Sequence, residues 1–337
     1  MTPAQRLTSI IAMIFWMLSP IFGSEAKAEL IQPDLLGDWA LEIESREAGW
    51  LRITEDDGQP SVSMMVNVGT IKPLNGVEVK EGKIQVPLKT FRKGGKKGPI
   101  VSTNRAEIWS ENGQLKGEII THFPQEDRES RDPFTGISIP PMPPAPDLSK
   151  VTFGKPITLF NGKDLTGWRV RRPEKINGWS AVGGELVNST PKTDFTATGA
   201  YSNLMTEGTF EDFKLHIEFS IEKDRNSGIY IRGLYEAQVV DRDSRMQGLQ
   251  GVGSIFSLIE RSENPAYEGG KWQTYEITLV DRHISVVLNG VKTIDNQPVS
   301  GPTSGAVHTN PMTPGPIYLQ GDHTSVKYRN IILAPVE

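Results

Sequence analysis

Along most of this chain, hydrophobic and polar residues alternate with a period of two, the spacing of strands that bury one face. The pattern is cleanest at 214–221, where Leu215, Ile217, Phe219 and Ile221 share one face and Lys214, His216, Glu218 and Ser220 the other. Short strands are predicted at 38–44, 49–53, 61–68, 82–86, 105–109 and 114–120, with Glu111-Asn112-Gly113 as a turn between the last two. A second set follows at 179–182, 185–187, 201–206, 214–221, 272–280, 283–290, 316–320 and 326–333, and Asn161-Gly162 reads as a hairpin turn near its start. Almost no stretch shows helical periodicity, so the expected class is all-β.

The stretch Asn226-Ser-Gly-Ile-Tyr-Ile-Arg-Gly-Leu-Tyr-Glu-Ala-Gln-Val-Val-Asp241 reads as two strands broken at Gly233. Ile229 and Ile231 alternate with Tyr230 and Arg232, and Ala237 and Val239 with Glu236 and Gln238. An Arg, a Glu and a Gln at alternating positions can converge on one small ligand, as a sugar pocket requires. The competing reading is an amphipathic strand with a solvated face.

Breaks in the pattern divide the chain. Residues 1–28 hold Arg6, an apolar run over 10–22 and Ala26-Lys27-Ala28, the form of a secretory signal peptide. Ser19 and Pro20 interrupt a run already short of the ~20 residues of a membrane span. The mature chain is therefore expected in the periplasm or outside the cell, without a transmembrane segment. Proline-rich residues 139–150 form a linker between a small all-β half-barrel or sandwich (29–138) and a jelly-roll β-sandwich (151–337).

The 337 residues contain no cysteine, which excludes disulfides and thiolate metal sites. A formal net charge of −5 argues against nucleic-acid binding, and the basic run 92–97 reads as a hairpin tip. Gly248-Leu-Gln-Gly-Val-Gly253 lacks the spacing and strand-turn-helix context of a dinucleotide loop, so no NAD is expected. Asp241-Arg-Asp-Ser-Arg245 offers oxygens to a divalent metal ion or neutralises itself as a loop; both readings stand. Trp168, Trp179 and Trp272 are candidate sugar platforms or core residues, and the solitary His122 reads as structural.

Several segments resemble the 3-keto-disaccharide hydrolase-like family: Leu159-Phe-Asn-Gly-Lys-Asp-Leu-Thr-Gly-Trp168, residues 212–219, Asn226-Ser-Gly-Ile-Tyr-Ile-Arg232, Tyr235-Glu-Ala-Gln-Val239, Trp272-Gln-Thr-Tyr-Glu276, Gly315-Pro-Ile-Tyr-Leu-Gln320 and Tyr328-Arg-Asn-Ile331. The resemblance spans about 156–335 and implies a concanavalin-like sandwich acting on carbohydrate. It also implies a chemistry. A ketone at C3 acidifies the C2 hydrogen, so a base can remove it, the C1 substituent leaves, and water adds, for a net hydrolysis.

Such a site needs a base, a stabiliser for the enolate oxygen, and an acid or metal at the leaving group. On this resemblance His323 is the base, Arg232 the positive charge and Glu236 or Asp241 the carboxylate, with Gln238, Gln320, Tyr230, Trp168 and His216 as substrate contacts. A separate sugar 3-dehydrogenase would supply the oxidised sugar. The rival readings are a two-carboxylate glycosidase, for which Glu236 and Asp241 fall on opposite strand faces, and a non-catalytic lectin-like binder.

Overall fold

The computed structural model describes residues 31–337 apart from 45–48, 57–58, 67–69, 95, 97 and 192–196. The expected signal peptide, and Gly95 and Lys97 of the basic run 92–97, lie outside the described residues. Eight antiparallel strands make the first sheet: β1 (Gly37–Ile43), β2 (Gly49–Asp56), β3 (Gln59–Val66), β4 (Glu78–Lys80), β5 (Lys83–Arg92), β6 (Ile100–Glu111), β7 (Gln114–Phe123) and β8 (Arg128–Ile139). Their order is β3-β2-β1-β8-β7-β6-β5-β4, so first and last strands meet in the middle. Alternation puts Trp39, Leu41, Ile43, Ile53, Ile108 and Phe134 into one core on one side of this sheet. The predicted turn joins β6 to β7, with Asn112 and Gly113 both at positive φ (54° and 75°), as a two-residue hairpin demands.

The second half begins with β9 (Ile157–Thr158), β10 (Trp168–Val170), β11 (Trp179–Val182), β12 (Glu185–Asn188), β13 (Leu204–Thr206) and β14 (Phe213–Ser220). It continues with β15 (Asn226–Ile231), β16 (Tyr235–Val240), β17 (Trp272–Val280), β18 (His283–Leu288), β19 (Val291–Pro298), β20 (Tyr318–Leu319) and β21 (Val326–Pro335). A five-stranded sheet, β10-β13-β20-β15-β16, packs on a larger one, β11-β12-β21-β14-β17-β18-β19, with β9 paired to β21. Ile229, Ile231 and Leu319 from the small sheet meet Leu215, Phe219 and Ile277 from the large one in a single core. Together these sheets form the all-β sandwich that the alternation predicts.

Two details depart from the sequence reading. Asn161-Gly162 is not a hairpin turn, because the flanking strands β9 and β10 enter different sheets. Instead the Asn161 side-chain oxygen accepts from the N–H groups of Lys163 and Asp164 at 2.8 and 3.0 Å, an Asx turn. The glycine-rich run 248–253 leads into residues 254–256, which cover the outer edge of β16: Gln238 N–H donates to Ser254 O and Phe256 N–H to Glu236 O. That cover blunts an exposed strand edge.

The proline-rich segment is tied along the sandwich. Arg282 donates to the carbonyls of Pro140 and Pro141 (3.0 and 2.5 Å), and Asn296 donates to that of Pro146 (2.8 Å). Nearby, Ala40, Trp50, Ile139 and Ile71 form a small cluster. It presses on Gly301, where an added Cβ would stand 2.6 Å from Ile71 and 3.0 Å from Trp50.

Candidate active site

The polar face of the small sheet is assembled from four strands. On β15 and β16 the register pairs Tyr230 with Glu236 and Gly228 with Gln238, so Tyr230, Glu236 and Gln238 share the face turned away from the core. Only a glycine fits at 228, because a Cβ there would lie 2.1 Å from Glu236 Oε1; the Glu236 side chain folds over the bare backbone. β20 adds Tyr318, whose ring centroid lies 4.5 Å from that of Tyr230, and β13 adds Met205. Just beyond β20, Gln320 N–H donates to Gly228 O, and the buried Gln320 side-chain oxygen has no hydrogen-bond partner. A buried amide oxygen left unmatched beside polar neighbours is suited to accept from a ligand hydroxyl.

Residues from outside these strands complete the set. Arg171 Nη1 donates to Tyr318 Oη at 2.9 Å, and the Asn203 amide meets the same hydroxyl. The Asn203 side-chain oxygen accepts from the N–H groups of Gly321 and Asp322 (2.7 and 2.9 Å), which fixes the turn after β20. On that turn His323 Nδ1 bonds Asp322 Oδ1 at 2.7 Å. With Nδ1 committed to the carboxylate, the basic lone pair of a neutral imidazole sits on Nε2. A cavity of about 170 Å³ opens here, lined by Arg171, Arg172, Lys175, Tyr201, Asn203 and Asp322.

Burial controls the acid of the group. Glu236 is only 4 % exposed. Loss of solvation pushes its carboxyl up to about 8; contact with the Tyr230 hydroxyl opposes the rise and the Asp322 charge adds to it. Tyr230 Oη donates its proton to Ser304 O at 2.7 Å. Burial also raises the Tyr230 and Tyr318 hydroxyls, so both stay protonated donors or acceptors at neutral pH.

Four sequence candidates do not join this group. Arg232 has the parity of Tyr230, but β15 ends at Ile231 and Arg232 sits in the turn with φ of 58°, so strand alternation no longer sets its direction. Its guanidinium, 2 % exposed, runs to Thr313 O at 2.9 Å and to Glu211 and Asp212 at 3.5 and 3.8 Å. Asp241 follows β16 and accepts from the N–H groups of Asp224 and Asp243, while Arg242 and Asp243 pair at 2.9 Å. Within 241–245 the charges of Arg242 and Asp243 are thus paired with each other, and among the described residues there is no group of three or more His, Asp or Glu arranged around an ion position.

Trp168 faces the core and donates from Nε1 to Leu159 O at 2.7 Å, so it offers no platform to a sugar. His216 lies on β14 in the opposite sheet, bonded to Glu276 at 2.5 Å. Trp179 is also core, and Trp272 lies on the far sheet under the Arg329 guanidinium at 3.9 Å. In place of these the structure supplies Tyr318, Arg171, Asn203 and Asp322. Tyr318 was within reach of pattern reasoning, since it shares strand parity with Gln320. Arg171 and Asn203 come from separate strand ends, where no periodicity points to a common site.

A search of curated proteins finds no match. Among solved structures, the chain is similar to two proteins from Parabacteroides distasonis ATCC 8503, both provisionally titled glycosyl hydrolases. They show 19 % and 23 % identity, cover 54 % and 53 % of this chain and 94 % and 98 % of theirs, with TM-scores of 0.45 and 0.40. Carbohydrate-binding module CBM66 from Bacillus subtilis is similar at 12 % identity, over 49 % of this chain and 93 % of its own, with a TM-score of 0.34. The family model of the 3-keto-alpha-glucoside-1,2-lyase-like domain matches residues 155–334, a span that contains both sheets of the sandwich and every residue of the polar face just described, and the chain belongs to that family.

Proposed function

We propose that this carbohydrate-active chain cleaves 3-keto-glycosides by elimination and hydration. The reading is supported by a protonated acid near a histidine–carboxylate pair: Glu236, which holds its proton up to about pH 8 and feels the charge of Asp322, and His323, bonded to that same Asp322, which lines the neighbouring cavity. His323 Nε2 takes the proton from C2 of the sugar. The electron pair left behind moves toward the C3 oxygen as an enolate, then re-forms the ketone as the C1–O bond breaks. Arg171, which donates to Tyr318 Oη, stabilises the enolate charge. Glu236, in contact with Tyr230, is the proton source for the departing oxygen. Addition of water across C1 and C2 of the enone completes the hydrolysis, and the Gln238 and Gln320 amides bind sugar hydroxyls.

The proton at C2 is removable only when C3 is a ketone, so a separate sugar 3-dehydrogenase supplies the substrate. The test is turnover of a 3-keto disaccharide and its unoxidised parent, with and without chelator, by wild type and His323→Ala. Turnover confined to the keto sugar, and a kcat lower by about 10²–10⁴-fold in the variant, is the expected result. Equal hydrolysis of both sugars would identify an ordinary glycosidase, and affinity without turnover a lectin-like binder. Export belongs to the same reading: N-terminal sequencing of the mature protein should start at or near Glu29, and retention of Met1 in the cytoplasm would refute it.

A further inference from the structure

A second cavity, of about 800 Å³, lies where the first sheet meets the sandwich. Its floor is made by outward-facing side chains of three adjacent strands, with Glu42 on β1, Lys116 on β7 and Thr135 and Ile137 on β8. Trp109 from β6 lines it as well, held by Lys83 over its ring at 4.5 Å. The opposite wall is His308, Thr309, Asn310 and Thr313 from the sandwich. That wall is anchored at both bodies: His308 Nε2 meets Arg232 O at 2.9 Å, and Thr309 Oγ1 meets Leu41 O at 3.5 Å.

We propose that this groove is an accessory binding site for a neutral oligosaccharide. The volume falls within the range of small-molecule sites, about 300–1,000 Å³. The lining interleaves an indole and Ile137 with hydroxyl, amide and carboxylate groups, which matches a ligand that has C–H faces and a rim of hydroxyls. The charge pattern selects against an anionic chain. Glu42 and Glu118 line the groove with Lys116, and Glu118 is engaged by Arg131 at 2.6 Å, so no cluster of cations among its lining residues awaits an acid group. Carboxylates instead serve as acceptors for neutral hydroxyls.

The wall belongs to the segment that covers the candidate active site, since Ser304 O holds the Tyr230 hydroxyl and Val307 packs beside Tyr230 and Tyr318. A glycan in the groove therefore lies against a segment that also contacts Tyr230 and Tyr318. The choice of carbohydrate rests on the proposed function; the groove itself does not.

The test is calorimetric titration of the full chain with maltohexaose, cellohexaose and laminarihexaose, and with hexagalacturonate as the anionic counterpart. Wild type should bind at least one neutral hexasaccharide, and affinity should fall about tenfold or more in Trp109→Ala and in Thr135→Trp. Thr135→Trp fills the groove without deleting a packed ring, so it decides the question if the Trp109 variant melts early. Binding should persist in His323→Ala, and turnover of a 3-keto disaccharide should change less than about twofold in both groove variants. No neutral hexasaccharide bound, binding unchanged in Thr135→Trp, or preference for hexagalacturonate would overturn the proposal. Groove binding with no turnover of any keto sugar would refute the catalytic reading alone.

Discussion

Glu236 shows how one residue carries both an energetic cost and a function. Its carboxyl is pushed up to about 8 by burial, so between the ordinary carboxylate range and pH 8 the folded protein holds a proton that the unfolded chain has lost. Stability from this group is therefore complete at low pH and falls as pH rises through about 8. Glu236→Gln keeps the shape and cannot ionise, so its melting temperature should decline less than that of wild type between pH 5 and pH 8.5. The difference at the alkaline end should be on the order of a few kcal/mol in favour of the variant. Parallel pH profiles for the two proteins would show that Glu236 is not protonated in the fold. Activity on a 3-keto glycoside should drop in the same variant, because the amide has no acidic proton to give.

The turn between β15 and β16 is the element on which the site depends. Alternation in the sequence placed Tyr230, Glu236 and Gln238 on one face, and the structure keeps them there. It failed at Arg232 because period-two reasoning holds only while the strand lasts, and a residue at φ of 58° has left the strand. Arg232 acts as a buried strut to the 313 carbonyl and the Glu211 and Asp212 side chains. Arg232→Ala should thus cost about 2–3 kcal/mol of stability. At a temperature where the variant is folded, KM for the keto sugar should stay within about twofold of wild type; a large rise in KM would return Arg232 to the substrate.

Gly228→Ala probes the same element from the other side. Its Cβ would collide with the Glu236 carboxyl at 2.1 Å, so overpacking should cost about 1–3 kcal/mol and displace the acid, with lost activity. The strands themselves were legible because their apolar and polar residues alternate, even in β15 and β16, which are buried on both faces. The cluster of Arg171, Asn203, Asp322 and Tyr318 was not, because it is built where strand ends from distant parts of the chain come together. Trp168 shows the reverse error, an aromatic whose chemistry suits a sugar but whose face belongs to the core.

At the scale of the whole molecule, the first sheet and the sandwich each hold a separate large core, joined by the proline-rich strap and the patch around Trp50. Two truncations separate the contributions. A chain beginning at Val151 loses the strap, and with it the carbonyls of Pro140, Pro141 and Pro146 that satisfy Arg282 and Asn296. A chain beginning at residue 139 keeps these carbonyls but lacks β8, which holds the strap in place. Both also bare Gly301 and the base of the 303–309 segment, which Trp50 and the first sheet support in the full chain. Because the sandwich core is continuous without any residue of the first sheet, both truncations should fold with a cooperative melt. Arg282 is 7 % exposed in the full chain, so the version without the strap should be the less stable, by about 1–3 kcal/mol for the guanidinium bonds it lacks. Equal melting temperatures would mean that the strap bonds form only when β8 anchors them, and aggregation of both would make the first sheet part of the folding unit of the sandwich.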